Sequence, residues 1–217
     1  MNPNLQKIGK NFFTRSLITD AVVYGEHVET IQGIPWREWN PFRSKLAAAL
    51  CSGLNELPIR VEDRVLYLGS AEGTTVSHVS DLVGENGVVV GVDVSPKAMA
   101  VFSKLAEKRE NLVPMLGDAN DVDKMKEELG DFSADVIVQD VSQKNQADIF
   151  VKNMRGLGGR SAEGLLVIKA RSVDFTKPPE QVMKKELALV KRHLRIVQVV
   201  DLNRFESDHY LIHARQS

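Results

Sequence analysis

Short apolar runs alternate with longer amphipathic segments from residue 65 onward, and this alternation restricts the folds that the chain can adopt. Between the first five runs lie helical patterns such as TTVSHVSDLV, in which Val76, Val79 and Val83 recur at helical spacing. Strands that alternate with helices predict a parallel sheet with helices on both faces. The predicted strands are residues 65–68, 88–92, 112–116, 134–139, 164–170, 195–200 and 209–214.

The last two predicted strands are joined by only a short polar stretch. A crossover between parallel strands needs about a dozen residues or more, so these two strands are expected to pair antiparallel. The sequence therefore predicts an α/β fold with a seven-stranded, mostly parallel sheet that ends in a C-terminal antiparallel hairpin.

The start of the chain has a different pattern, which predicts a small N-terminal β unit over residues 1–35, ahead of the α/β domain over residues 36–217. Residues 20–32 (DAVVYGEHVETIQ) have the pattern of a hairpin that turns near Gly25. This unit is expected to pack on the larger domain.

A helix is predicted over NPFRSKLAAALC, with Asn40 as its N-cap and Pro41 in the first helical position. Lys45 lies at the edge of the buried stripe of this helix. Taken alone, such a lysine is expected to extend along apolar surface toward water. The stripe consists of Phe42, Leu46, Ala49 and Leu50.

The charge balance excludes one class of function. The net charge is −1, whereas a protein that holds nucleic acid by bulk electrostatics alone needs a large excess of Lys and Arg. The charges are unevenly placed, because residues 85–140 carry a net charge of −6 and residues 141–217 carry +6. This split predicts either an acidic flank beside a basic face or ordinary solvated charge.

Cys51 is the single cysteine, which excludes an internal disulfide, and the histidines show no zinc-binding spacing, so no metal site is predicted. The first residues lack the parts of a secretory signal, and no apolar run approaches the ~20 residues that span a bilayer. A cytoplasmic protein is therefore expected. His27, His78, His193 and His213 receive no role, and His78 is predicted to lie on a helix surface.

The stretch YLGSAEGTTVSH runs from a predicted strand through a glycine loop into a helix predicted to begin near Thr74. Glycines let a ligand approach the backbone closely, and a helix N-terminus offers free amides. The spacing of Gly69 and Gly73 matches neither the dinucleotide-binding nor the phosphate-loop pattern. Taken alone, the stretch fits a plain strand-to-helix turn equally well.

Three carboxylates narrow the choice of ligand for this loop. Asp93 ends the second predicted strand, where an acidic side chain can bind both hydroxyls of a ribose. Asp118, just after the third strand, is placed to contact an adenine edge, and Asp140 closes the fourth strand. Each could instead be a helix N-cap. Together with Glu72 in the loop, they disfavour a pyrophosphate and favour a cationic ligand with a ribose, so S-adenosylmethionine is preferred over NAD.

Several sequence blocks carry a resemblance to a known family: NPFRSKLAAA, YLGSAEGTTVSHVSDLVG, GDAN, ADVIVQDVSQKNQ, IKARS and FESDH, in this order. The chain resembles fibrillarin along essentially its whole length, and most of all the archaeal form without a Gly/Arg-rich tail. The resemblance implies a class I (Rossmann-like) S-adenosylmethionine-dependent methyltransferase. It further implies an RNA ribose 2′-O-methyltransferase of box C/D guide ribonucleoproteins, acting on rRNA and tRNA.

The resemblance implies a catalytic set of Lys45, Asp140, Lys169 and His209. In this hypothesis Lys169 accepts the proton of the attacking 2′-hydroxyl and Lys45 stabilises the charge that develops on the oxygen. Asp140 orients a lysine and the methyl end of the cofactor, and His209 holds the acceptor ribose. The implied cofactor pocket is lined by Gly69, Thr74, Thr75, Asp93, Asp118, Ala119, Asp140 and Gln143.

The resemblance also implies partners: a guide RNA, the substrate rRNA or tRNA, a coiled-coil scaffold protein and a kink-turn-binding protein. A near-neutral enzyme needs such partners to hold RNA tightly. The candidates for RNA contact are basic residues of the last third of the chain, although the last four of them also fit the solvated face of one helix. They are Arg155, Arg160, Arg171, Lys184, Lys185, Lys191 and Arg192.

Three other hypotheses remain at this stage. A stand-alone RNA 2′-O-methyltransferase of the heat-shock ribosomal type would have Glu at the fourth catalytic position, and Glu206 lies close to His209 in the sequence. An NAD-dependent dehydrogenase of the short-chain type lacks support, because none of the three tyrosines has a lysine four residues on. A ribonucleoprotein subunit without catalysis is disfavoured by the intact catalytic set.

Overall fold

A computed structural model describes residues 2–18 and 22–216. Its main sheet contains all seven strands that the apolar runs predict. These strands are β5 (Arg64–Leu68), β6 (Val88–Asp93), β7 (Leu112–Leu116), β8 (Ala134–Gln139), β9 (Gly158–Lys169), β10 (Arg195–Asp201) and β11 (His209–Arg215).

The strands of the main sheet follow the order β10-β11-β9-β8-β5-β6-β7. The strands β5 to β9 pair in parallel, whereas β11 pairs antiparallel with both β9 and β10. The mostly parallel sheet and its C-terminal antiparallel hairpin are therefore confirmed.

Helices cover both faces of this sheet. Alternate residues of β5 enter different apolar layers: Val65 and Tyr67 pack in one and Leu66 and Leu68 in the other. No helix within residues 2–18 and 22–216 combines the length and the apolar character needed to cross a bilayer. The helices are α1 (Lys45–Cys51), α2 (Thr74–Val83), α3 (Pro96–Ala106), α4 (Val122–Leu129), α5 (Gln146–Leu157), α6 (Ala170–Val173) and α7 (Pro179–Lys191).

A separate four-stranded antiparallel sheet precedes α1, in the order β1-β2-β4-β3, as the small N-terminal β unit predicts. The predicted turn near Gly25 is wrong, because the hairpin turns at Gln32 and Gly33, where both residues have positive φ. The first two residues of the predicted hairpin, 20 and 21, lie outside the described residues. The strands of this small sheet are β1 (Leu5–Ile8), β2 (Asn11–Arg15), β3 (Val28–Ile31) and β4 (Ile34–Trp39).

The division at residue 35 stays a prediction. Strand β4 spans this position and ends at Trp39, which is fully buried. The backbone passes from β4 into α1 with only the short segment 40–44 between them.

A buried ionic cluster joins the N-terminal sheet to α2. Asp81 on α2 accepts hydrogen bonds from Arg37 Nη1 of β4 at 2.8 Å, from Arg109 Nη1 at 2.6 Å and from Thr14 Oγ1 of β2 at 2.8 Å. Arg37 Nε also donates to Glu26 Oε1 at 2.7 Å. The side chains of all these charged residues have no exposed surface. Because breaking such a cluster leaves an uncompensated charge, it fixes where the small sheet docks.

His78 is buried in this interface, so its predicted position on a helix surface is wrong. Its ring stacks on Trp39, with centroids 5.3 Å apart and an interplanar angle of 19°. The Thr14 hydroxyl donates a hydrogen bond to Asp81 and therefore accepts one from His78 Nδ1 at 2.7 Å. The Tyr24 hydroxyl donates to His78 Nε2 at 2.8 Å. Burial, and then the charges of Arg37 and Arg109, lower the pKa of His78 well below its usual value, so the ring is neutral.

We expect Asp81→Asn to destabilise the protein by about 3–5 kcal/mol, because the buried charge of Arg109 would have no carboxylate partner and Arg37 would keep only Glu26. The free energy of unfolding in urea measures this effect. Asp148→Asn is the matched control, because Asp148 forms an exposed ion pair with Lys152 at 2.7 Å. The control should change stability by less than about 0.5 kcal/mol. Equal losses in the two variants would contradict the role assigned to the cluster.

Candidate active site

A pocket lies where the strand order of the main sheet reverses. From β5 the chain continues outward through β6 and β7 and then returns to β8 on the other side of β5. In open α/β sheets a crevice forms at the carboxyl ends of strands at such a point. The pocket has a volume of about 350 Å³ and is lined by Gly69, Ala71, Val92, Asp93, Val94, Gly117, Asp118, Ala119, Asp140, Val141, Ser142, Gln143 and Lys169.

Gly69 shapes the floor of this pocket, directly after β5. Its φ is +85°, and a Cβ atom at this position would lie 2.7 Å from the carbonyl oxygen of Asp140. Its N–H donates to the carbonyl of Val92 at 2.8 Å, while the N–H of Asp140 donates to the carbonyl of Leu68 at 2.8 Å. The loops that follow β5 and β8 therefore approach each other more closely than a residue with a Cβ atom would permit.

Asp93 at the end of β6 is held rigidly by two backbone donors. Its Oδ2 accepts from the N–H of Ala71, and its Oδ1 accepts from the N–H of Ser95, both at 2.9 Å. A carboxylate oxygen has more than one acceptor position, so Asp93 can accept further hydrogen bonds from hydroxyl groups of a ligand.

Asp118 and Ala119 follow β7 and form the next part of the lining. Asp118 Oδ1 accepts from the N–H of Asn120 at 2.9 Å and from its side-chain amide at 3.0 Å. Asn153 on α5 donates to the carbonyl of Ala119 at 2.9 Å. These hydrogen bonds fix the segment after β7. With Asp118 and Ala119, six of the eight predicted cofactor-binding residues line one pocket.

Thr74 and Thr75, the other two predicted cofactor-binding residues, open α2 and are not among the residues that line the pocket. The side chain of Thr75 is a hydrogen-bond partner of the buried Tyr67 hydroxyl. Burial, and then the charge of Asp140, raise the pKa of Tyr67 well above its usual value. A role of these threonines toward a ligand stays a prediction.

Lys169 and Asp140 form an ion pair at one side of the pocket, with Lys169 Nζ 2.8 Å from Asp140 Oδ1. The ammonium also donates to the carbonyl oxygen of Asp140 at 2.9 Å and to Ser142 Oγ at 3.1 Å. Asp140 Oδ1 is buried and receives no hydrogen bond of good geometry from the described residues. The Asp140 side chain as a whole is 16% exposed, so part of the carboxylate still faces the pocket beside the ion pair.

No local sequence pattern indicates the residue that places Lys169. Gln146, at the start of α5, accepts a hydrogen bond from the backbone N–H of Lys169 at 2.9 Å. Its own carbonyl accepts from the side chain of Gln139 at 2.7 Å. Both glutamines have no exposed surface, so they form a rigid link between the ends of β8 and β9. Gln146 and Lys169 are separated by 23 positions in the sequence, which explains why local patterns did not reveal this contact.

His209 begins β11 and is the cross-strand partner of Lys169 on β9. Its Nδ1 lies 2.7 Å from the carbonyl oxygen of Ser207 and must donate to it, because a carbonyl only accepts. In the neutral ring Nε2 is then left as an acceptor. The sheet thus brings together three of the four predicted catalytic residues.

Lys45 is the first residue of α1, and the predicted start of this helix is wrong. Ser44 is the N-cap and accepts from the N–H of Ala47, whereas Asn40 forms a separate turn by accepting from the N–H of Phe42 at 2.8 Å. Phe42 is therefore 68% exposed and not part of a buried stripe. Lys45 Nζ lies 3.4 Å from Glu206 Oε2, and Lys45 does not line the pocket.

The charges and the donor set of the pocket select among ligands. Asp93, Asp118 and Asp140 outnumber Lys169, the single cation in the lining. Such a pocket attracts a cation and disfavours a pyrophosphate. The fixed carboxylate at Asp93 and the partly exposed carboxylate of Asp140 suit a ligand with ribose hydroxyls and a positively charged centre, which are the features of S-adenosylmethionine.

Comparisons with known proteins agree with this geometry. The Fibrillarin family model matches residues 3–217. A fibrillarin-like rRNA/tRNA 2′-O-methyltransferase of Pyrococcus furiosus is 39% identical over 203 residues, which cover 94% of this chain and 88% of the relative.

Two solved structures show the same fold. Aeropyrum pernix fibrillarin, in complex with natively bound S-adenosyl-L-methionine, superposes with a TM-score of 0.86 at 41% identity and covers 94% of this chain and 88% of its own. A fibrillarin in complex with Nop5p superposes with a TM-score of 0.84 at 34% identity and covers 99% of this chain and 98% of its own.

We expect Gly69→Ala to destabilise the protein more than Gly53→Ala, as measured by unfolding in urea. Both glycines have positive φ, which costs an alanine roughly 1–2 kcal/mol. Only at Gly69 would the new methyl group meet backbone atoms, which adds about 1–3 kcal/mol. Similar losses in both variants would show that the approach to Asp140 is not a constraint.

Proposed function

Because the chain belongs to the fibrillarin family, we propose that it methylates the 2′-oxygen of ribose in RNA within a box C/D guide ribonucleoprotein, with rRNA and tRNA as substrates. The observation that carries this proposal is the Lys169–Asp140 ion pair at the edge of a carboxylate-lined pocket, next to the β11 residue His209. The proposed enzyme is an S-adenosylmethionine-dependent RNA 2′-O-methyltransferase.

S-adenosylmethionine, when bound, supplies a methyl group on a positively charged sulfur. Asp93 would accept hydrogen bonds from the two ribose hydroxyls of the cofactor. Asp118 and Ala119 would contact its adenine. Asp140 and Gln143, which also line the pocket, would contact its methionine end. The bound S-adenosyl-L-methionine in the Aeropyrum pernix relative supports the choice of cofactor.

The acceptor is a secondary alcohol, which is a poor nucleophile at neutral pH, so the site must remove or loosen its proton. We propose that Lys169 takes this proton and that Lys45 stabilises the negative charge on the attacking oxygen. His209 Nδ1 is occupied by the carbonyl of Ser207, and Nε2 has no hydrogen-bond partner among the described residues. Nε2 would bind the acceptor ribose.

The contacts of Lys169 set a condition on this role. The ammonium has three oxygen atoms within 3.1 Å, the carboxylate and carbonyl oxygens of Asp140 and the hydroxyl of Ser142. It can accept the 2′-hydroxyl proton only after giving up one of its own. If it remains charged instead, it acts by orienting Asp140 and the 2′-oxygen.

The proposed partners are a coiled-coil scaffold protein, a kink-turn-binding protein and a guide RNA. The complex of a related fibrillarin with Nop5p supports the scaffold protein. A net charge of −1 supports delivery of the RNA by other molecules, because so few excess cations give little affinity for phosphate.

The predicted RNA-contact residues of the last third of the chain are all exposed. Arg171 is the nearest of them to the catalytic set, because it lies two residues after Lys169 and forms an ion pair with Asp208 at 2.8 Å. The other six are Arg155, Arg160, Lys184, Lys185, Lys191 and Arg192.

We expect calorimetric titration to show saturable binding of S-adenosylmethionine to the wild-type protein and at least about tenfold weaker binding to Asp93→Ala, which loses a charged hydrogen-bond acceptor. Asp148→Ala is the control, because it removes the same charge from an exposed helix surface. If the wild type does not bind, the titration is repeated with the scaffold protein present. No binding in either titration would contradict the assigned cofactor.

We expect Lys169→Ala and Lys169→Arg each to lower methyl transfer to a guided RNA by roughly 10²–10⁴-fold in the reconstituted ribonucleoprotein. Arginine keeps the charge but cannot accept a proton, so it separates the two possible roles. Transfer of labelled methyl groups measures the rate, with Lys124→Ala, from an exposed ion pair, as the control. Activity retained in Lys169→Arg would refute proton acceptance, and activity retained in both would refute the catalytic site.

A further inference from the structure

Glu206 is the one acidic partner of Lys45 within residues 2–18 and 22–216, with Glu206 Oε2 3.4 Å from Lys45 Nζ. The side chain of Glu206 is 42% exposed and that of Lys45 is 24% exposed. No hydrogen bond of the Lys45 ammonium to another described residue competes with this contact. Without Glu206, the Lys45 ammonium would therefore have no ion-pair or hydrogen-bond partner among the described residues to hold it in one direction.

Glu206 lies on the connection between β10 and β11, residues 202–208, and its backbone is firmly placed. The N–H groups of Phe205 and Glu206 both donate to the carbonyl of Leu202 at 2.9 Å, and Leu202 is fully buried. The ring of Phe205 packs edge-on against Phe42, with centroids 5.3 Å apart. Phe42 belongs to the turn just before α1, so this contact ties the connection to the start of the helix that carries Lys45.

The same connection is fixed to the other side of the catalytic set. The carbonyl of Asp208 accepts from the N–H of Ala170, the residue after Lys169, at 3.0 Å. The carboxylate of Asp208 accepts from Arg171 Nε at 2.8 Å. His209 follows directly. Residues 202–208 therefore contact or adjoin the elements that bear Lys45, Lys169 and His209.

An ion pair as exposed as Lys45–Glu206 adds little to stability, because water screens it and both side chains lose rotamer freedom. Its effect on geometry is different. A reacting group must be held close to its productive position, and a displacement of about 1 Å can cost roughly a hundredfold in rate. The contact is thus of more use for placement than for folding.

We propose that Glu206 is a positioning residue for methyl transfer, which holds the Lys45 ammonium toward the site where the ribose 2′-oxygen reacts. This inference rests on the proposed function. Glu206 acts through Lys45 and does not itself take the place of His209, whose position beside Lys169 is fixed by the pairing of β9 and β11.

The test measures methyl transfer by the reconstituted ribonucleoprotein containing Glu206→Ala or Glu206→Asp. For Glu206→Ala we expect kcat to fall roughly ten- to hundredfold. The KM for RNA and the calorimetric affinity for S-adenosylmethionine should stay within about twofold of the wild type. Glu206→Asp, which keeps the charge, should restore part of the rate. Glu128→Ala is the control, because Glu128 pairs with Lys124 at 3.9 Å on an exposed helix surface.

A double-mutant cycle shows whether Glu206 acts through Lys45. If it does, Glu206→Ala should cause almost no further loss in a protein that already carries Lys45→Ala. Equal losses in both backgrounds would overturn the inference, as would an unchanged kcat in Glu206→Ala. A lower KM for RNA with unchanged kcat would show instead that Glu206 merely competes with phosphate.

The outcome for the wild type separates this inference from the proposed function. A wild-type complex that binds both the cofactor and the RNA but transfers no methyl group would overturn the proposed function, and this inference with it. An active wild type with an equally active Glu206→Ala variant would overturn the inference alone.

Discussion

The close approach of the Gly69 backbone to the Asp140 carbonyl is the constraint on which the candidate site depends. It lies between β5 and β8, where the strand order reverses and the two loops leave the sheet in different directions. A side chain at position 69 would push these loops apart and separate the glycine loop from the Lys169–Asp140 pair. The candidate cofactor pocket and the Lys169–Asp140 pair can therefore share one edge only because position 69 has no Cβ atom.

Helix α2 extends this constraint to the N-terminal sheet. The helix begins directly after the glycine loop, and seven residues into it Asp81 binds Arg37 of β4 and Arg109. Trp39, at the end of β4, stacks on His78 of the same helix. Only residues 40–44 separate Trp39 from Lys45. The buried ionic cluster therefore does more than dock a small sheet, since it also sets the start of α1 and the position of Lys45 relative to the pocket.

How much the sequence could predict depended on how local each signal was. The strands, and the aspartates that follow them, were predictable because alternating strands and helices leave a pattern within a few residues. Asp93, Asp118 and Asp140 do line one pocket. The burial of His78 could not be predicted, because the residues that cover it belong to the distant N-terminal part of the chain. Asn40 and Ser44 both have cap chemistry, and only the completed backbone shows that Asn40 closes a turn while Ser44 caps the helix.

The uneven charge along the chain corresponds to the two sides of the candidate site. The carboxylates Asp93, Asp118 and Asp140 come from the segment with a net charge of −6, whereas Lys169, Arg171 and His209 come from the segment with +6. A cationic cofactor is attracted to the first side, and an RNA phosphate is repelled by it. The second side attracts phosphate, but its cations are too few to hold RNA against the salt of a cell. The Lys169–Asp140 pair lies where the two sides meet, and this arrangement agrees with the proposed delivery of the RNA by other molecules.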